Sequence, residues 1–229
     1  MSSESVLVAG VGPGLGIAVA ARFAREGYRV AMLARSRERL AALAAQDPDR
    51  LVPIACDVTN PAQVDAAFDD CERTIGPLAC AVFNAGAYRR GSILDIQPDD
   101  FERCWRVGAF AGFLVGQAAA RRMVTRGSGT ILFTGATASL RGGANFTNLA
   151  SPKFALRAVA QSMARELGPR GIHVAHIIID GQIGADDTTP MPDSRLRPEA
   201  IAQAYLDLHR QQRSAWSQEI DLRPWAEKF

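Results

Sequence analysis

SVLVAGVGPGLGIAVAARFARE, residues 5 to 26, carries the three signals that decide the fold. SVLVA is a short apolar, β-branched run of strand type, and AVAARFARE returns its apolar residues at helical spacing. Between them stand Gly10, Gly12, Gly14 and Gly16. Glycines at such a junction let the chain turn tightly. They bring backbone N–H groups, with the positive end of the following helix, against a phosphate. A glycine motif alone is a weak signal; directly after a strand and directly before an amphipathic helix, it points to a dinucleotide pyrophosphate.

Working outward, the alternation repeats. Strand-like runs recur as YRVAMLA (28–34), RLVPIAC (50–56), LACAVFN (78–84), GTILFTG (129–135) and IHVAHIIID (172–180). Helical patterns lie between them: RERLAALAAQ ends before Asp47-Pro48, and SPKFALRAVAQSMAREL runs to a stop at Gly168-Pro169. Strand, helix, strand in this order predicts α/β architecture: one doubly wound Rossmann-type domain over residues 1–229, with helices on both faces of a parallel sheet of about seven strands. Its ligand is expected at the carboxyl ends of the strands. One composition shift, GQIGADDTTPMPDSRLRP from residue 181, is polar and rich in proline and aspartate, and residues 181–200 are expected to form a substrate loop or lid.

Twenty-six Lys and Arg against 24 Asp and Glu leave a formal charge of +2, which gives no reason to expect nucleic acid or an anionic membrane as partner. A small-molecule substrate and further copies of the chain are the expected partners. Cys56, Cys71, Cys80 and Cys104 form no C-x-x-C pair and have no histidine at metal-ligand spacing, so no metal site is expected. They read as small apolar fillers in a reducing compartment. The first residues lack a basic leader, and the most apolar stretch, VGAFAGFLVGQAAA at 107–120, is too short to span a bilayer. A cytoplasmic protein is the expectation.

The spacing Gly10-x-x-x-Gly14-x-Gly16 resembles the short-chain dehydrogenase/reductase family, and the likeness continues in register over about residues 5–183. Asp57-Val58 follows the third strand, where the family's Asp contacts adenine. Asn84-Ala85-Gly86 matches the family's N-A-G, and Lys153 falls on the helix after the fifth strand. The resemblance implies a cofactor pocket built from Gly10, Gly12, Gly14, Leu15, Gly16, Asp57, Val58, Asn84, Ala85, Gly86, Lys153 and Ile183. It also implies a homodimer or homotetramer. The second strand ends Leu33-Ala34-Arg35-Ser36-Arg37, with no carboxylate to hold ribose hydroxyls and repel a 2′-phosphate. Arg35 instead offers a planar fork of donors suited to phosphate oxygens, which favours NADP(H) while leaving NAD(H) possible.

The family's chemistry uses Asn, Ser, Tyr and Lys. Set on Lys153, its tyrosine falls at Leu149, its serine at Ala136 and its asparagine at Gly108. A leucine has no ionisable proton, so the family's proton transfer is not licensed here. Candidate replacements are Thr137 in the loop after the fifth strand, Tyr88 just beyond N-A-G, and Asp180 in the Asp180-Gly181 turn where the family has Pro-Gly. Thr134 is another hydroxyl beside Ala136. Each has a structural alternative: strand and turn packing for the threonines, a loop aromatic for Tyr88, a turn former for Asp180. His176, inside a buried-looking strand run, reads as a satisfied core histidine. Gly108, Gly112 and Gly116 recur every four residues along one helix face, which implies a close neighbour, expected to be another helix.

Three functions remain open at this point. The first is an NADP(H)-dependent oxidoreductase acting on a small carbonyl, alcohol, enone or iminium with a non-standard proton donor. The second is a dinucleotide-binding pseudoenzyme, serving as sensor or oligomer subunit. The third is a non-redox cyclase or eliminase using the same pocket.

Overall fold

The computed structural model describes residues 4–184 and 192–226. Its strands are β1 (Ser5–Ala9), β2 (Arg29–Ala34), β3 (Leu51–Ala55), β4 (Leu78–Phe83), β5 (Gly129–Thr134), β6 (Ile172–Ile179), β7 (Gln182–Ile183), β8 (Arg195–Leu196) and β9 (Glu219–Leu222). The helices are α1 (Leu15–Arg25), α2 (Arg37–Ala44), α3 (Pro61–Ile75), α4 (Pro98–Trp105), α5 (Ala111–Val124), α6 (Thr147–Leu167) and α7 (Pro198–His209). Seven strands pair in parallel in the order β3-β2-β1-β4-β5-β6-β9. Strand order reverses between β1 and β4, which opens a crevice at their carboxyl ends.

Side-chain alternation along the strands explains why both faces are covered. Leu7 and Ala9 of β1 join Phe68, Phe83, Phe133 and Leu156 in the core under α3, α5 and α6. Val6 and Val8 point the other way, into the core with Phe23, Leu40 and Tyr205 under α1, α2 and α7. The six strands read from sequence are present. β9 supplies the seventh; it is four residues long and sits at the sheet edge beside β6.

The glycine stripe meets another helix, and that helix is α6 of the same chain. A Cβ added at Gly108 would lie 2.9 Å from Pro152, and one at Gly116 would lie 2.8 Å from Phe133 and 3.0 Å from Met163. Gly112 is filled in the same way by Leu156 and Phe83. Gly108 lies in a five-residue π-helical segment, Arg106–Phe110, that joins α4 to α5.

The segment expected as a lid is described at its two ends. β7 and β8 pair in parallel, the Gly184 N–H donates to the Leu196 carbonyl at 2.8 Å, and Pro198 already begins α7, so the loop ends before residue 200. Residues 185–191, its centre, lie outside the described residues.

Candidate active site

The loop from β1 to α1 contains glycines of two kinds. Gly10 has φ 94°, a conformation side chains resist, and an added Cβ there would overlap the Ala85 backbone. A Cβ on Gly16 would lie 2.6 Å from the Gly10 carbonyl. These two are forced by packing, and Asn84 completes the joint: its N–H donates to Ala9 at 2.8 Å and its Nδ2 to the Gly10 carbonyl at 3.0 Å. Gly12, Gly14 and Gly86 differ, since an added Cβ would meet nothing within 4 Å. The space above those three is open, and α1 begins there with no side chain capping its first N–H groups.

A cavity of about 590 Å³ opens over this loop, lined among others by Gly10, Gly12, Arg35, Asp57, Val58 and Asn84, with Ala85 and Gly86 beside them. The Asp57 carboxylate accepts from the Thr59 N–H at 2.9 Å and the Thr59 hydroxyl at 2.8 Å; these bonds first, then the nearby Arg35 and Arg106, hold it below the usual carboxylate range. Asp99, Glu102 and Arg103 of α4 and Arg106 of the π-helical segment also line the cavity, a contribution that no motif announced. The run Asp99-Asp100 after Pro98 marks a helix start and says nothing of what that helix faces. Size, glycine cradle and charge fit the adenosine and pyrophosphate of a dinucleotide. Leu15 and Gly16 are buried behind the loop, Gly14 is exposed at its tip, and Ile183 stands in β7, away from the cavity wall.

Beyond the cavity, the carboxyl ends of β5 and β6 gather polar groups. Lys153, buried on α6, donates from Nζ to the Thr134 carbonyl at 2.6 Å, and burial pulls its pKa down to about 8. Leu149 precedes it by one turn on the same helix. Ala136 is extended and leads into a single 3₁₀ turn, Thr137–Ser139. The Thr137 hydroxyl donates to Asp180, and Arg223 pairs with the other Asp180 oxygen at 3.0 Å. Two of the sequence candidates are therefore in direct contact. The other two hydroxyls are not with them: Thr134 is bonded to the Tyr205 hydroxyl at 2.6 Å on the opposite face of the sheet. Tyr88 is stacked on Phe146 with ring centres 5.4 Å apart and does not line the cavity. His176 is fully buried and satisfied, as read from sequence, with Nδ1 2.9 Å from the Glu219 carboxylate.

Residues 4–191 match the family model described as short chain dehydrogenase. The chain belongs to the short-chain dehydrogenase family. It is by that membership an oxidoreductase dependent on a nicotinamide dinucleotide. The 3-oxoacyl-[acyl-carrier-protein] reductase MabA of Mycobacterium avium is 32% identical over 199 residues, covering 87% of this chain and 74% of that protein. An uncharacterised oxidoreductase of Staphylococcus aureus strain USA300 is 28% identical and covers 98% of both chains. The crystal structure of a short-chain dehydrogenase from Rhodopseudomonas palustris is 41% identical, with a TM-score of 0.85, covering 97% of this chain and 99% of that one. Among the described residues, no helix is long and apolar enough to cross a membrane, and no group of side chains could hold a metal ion.

Proposed function

We propose that this short-chain dehydrogenase uses NADP(H) to reduce a small carbonyl or enone, or to oxidise the corresponding alcohol, with Thr137 and Asp180 handling the proton; an iminium would be reduced by hydride alone. The observation that carries the reading is the hydrogen bond from Thr137 to Asp180 at the carboxyl ends of β5 and β6, one residue beyond the position where the family's serine aligns. Leu149 and Ala136 offer neither acid nor hydroxyl there.

Bound NADP(H) would supply or accept the hydride. Arg35, in the cavity wall with no carboxylate beside it on the turn after β2, favours the 2′-phosphate form. Gly12, Gly14 and Gly86 would admit the diphosphate, Asp57 and Val58 would meet adenine, and Lys153 would bind ribose hydroxyls. The Thr137 hydroxyl donates its hydrogen bond to Asp180, so its oxygen is free to accept from a substrate hydroxyl. In oxidation the substrate O–H proton passes to Thr137 as the threonine proton passes to Asp180; reduction runs the same transfers in reverse. Arg223 keeps Asp180 beside a positive charge and fixes its direction.

Phe101, Trp105, Phe113 and Phe154 are exposed on α4, α5 and α6, which supports self-association through that face. Four buried, unpaired cysteines support a reducing, cytoplasmic setting. The M. avium relative, a 3-oxoacyl-[acyl-carrier-protein] reductase, brings 3-oxoacyl thioesters into the substrate panel beside ketones, enones and iminium salts. NADPH consumption measured on that panel tests the reading; product formed without NADPH consumption would favour the cyclase or eliminase alternative, and binding without turnover the pseudoenzyme.

A further inference from the structure

Behind the proposed proton handle, four polar side chains form one line, buried at Ser139 and His176 and half-buried at Glu219 and Arg157. The Ala136 N–H donates to Ser139 Oγ at 3.1 Å, Ser139 Oγ lies 3.4 Å from His176 Nε2, and His176 Nδ1 lies 2.9 Å from Glu219. Arg157, one turn beyond Lys153 on α6, grips Glu219 with two bonds of 2.7 and 2.6 Å. Ser139 and His176 are wholly buried.

The direction of the line follows from the chemistry. Glu219, held ionised by Arg157, can only accept, so His176 carries its proton on Nδ1. Burial disfavours a second proton, leaving Nε2 as an acceptor. Ser139 must then donate to His176, and its remaining lone pair receives the Ala136 N–H. Gly135 is cut to fit this arrangement, because a Cβ there would overlap the His176 ring. Ser139 is too deeply buried to meet a substrate, so the line is not a nucleophilic triad. Its free end is a backbone amide at the start of the turn that carries Thr137.

We propose that Ser139, His176 and Glu219 are positioning residues that hold the 136–139 turn so that Thr137 meets Asp180. Buried polar groups cost desolvation and return little net stability, so a fully connected line of them makes sense where it fixes one geometry. The inference rests on the proton-handling reading above, and its test separates the two.

Two arms are required, both on the full chain. In the first, backbone amide exchange is measured for Ser139→Ala: residues 136–140 should exchange about tenfold faster while β5 is unchanged. His176→Gln, which can still accept at one end and donate at the other, should restore part of the protection lost in His176→Leu. Unchanged exchange in Ser139→Ala overturns the positioning role whether or not a substrate is known. In the second, with the best ketone of the panel above, Ser139→Ala should lower kcat about tenfold and leave the NADPH Kd within about twofold. In a Thr137→Val background it should lower kcat less than about twofold further, since groups acting through one residue are not additive. A second full tenfold loss would show that the line acts on something other than Thr137. No turnover by the unmodified protein, with the exchange result as expected, would sink the proton-handling reading and leave the turn's support intact.

Discussion

Gly108 and Pro152 fit into one another: a methyl group on Gly108 would lie 2.9 Å from the Pro152 Cβ. Pro152 stands inside α6 immediately before Lys153, and Gly108 stands in the π-helical segment, where the sequence resemblance would put the family's asparagine. The pair lets α6 approach α5 closely enough to bring Lys153 against β5. Gly108→Asn, although it restores a family residue, is therefore expected to overpack the contact and cost about 1 to 3 kcal/mol. Calorimetry should show a melting temperature several degrees lower, since each kcal/mol corresponds to roughly 2 to 4 °C for a domain of this size.

Arg35 lines the cavity, and Asp57 responds to its charge. NADPH is expected to bind more tightly than NADH. A hydrogen bond to a charged group contributes about 1.5 to 3 kcal/mol, so Arg35→Ser should narrow the preference about tenfold or more. Paired calorimetric titrations with the two cofactors check this, and equal affinities in the unmodified protein would end the claim.

Lys153 makes a double prediction with opposite signs. In the folded protein its pKa is lowered from 10.5 to about 8 by burial. Between those values the unfolded lysine keeps its proton and the folded one does not, so unfolding free energy rises with pH in that window. Compared with Lys153→Met, the gain is up to about 1.4 kcal/mol per pH unit. Cofactor affinity should move the other way, falling as pH rises through about 8 and the charge on Nζ is lost. Denaturation and NADPH titration across that range, on both proteins, test the two halves separately.

Without a phenol at position 149, substrates whose reduction leaves little localised charge are expected to do best. Hydride addition to a saturated ketone generates an alkoxide that needs strong donors as it forms, whereas an enone spreads the charge and an iminium neutralises it. Matched pairs should therefore favour the enone or iminium. The double change Ala136→Ser with Leu149→Tyr should raise ketone reduction preferentially, and steady-state rates on the pairs decide it.

The fold was legible because β1, β2, β4, β5 and β6 are buried strands whose apolar runs stand out between helical patterns. β9 was not, because EIDL is a short, half-exposed edge strand that takes its register only from β6. The glycine loop and Asp57-Val58, which share one cavity wall, stood out in the sequence because each is a short local motif at the carboxyl end of a strand. Contacts across the chain were not: Thr137 to Asp180 spans 43 residues, and His176 to Glu219 another 43. Tyr88 was drawn by sequence proximity to N-A-G, and only three-dimensional packing reveals its stack on Phe146. Arg106 went unseen for the opposite reason, since a lone arginine at a helix end carries no motif.

That Thr137 and Asp180 move the proton in an NADP(H)-dependent reaction is tested most directly by single-turnover reduction of the best ketone of the panel with NADPH bound. Unmodified protein, Thr137→Val and Asp180→Asn should be compared at saturating cofactor. Hydride transfer is expected in the unmodified protein, slowed by about 10² or more in either variant with NADPH affinity unchanged. Transfer at the same rate in all three proteins would contradict it.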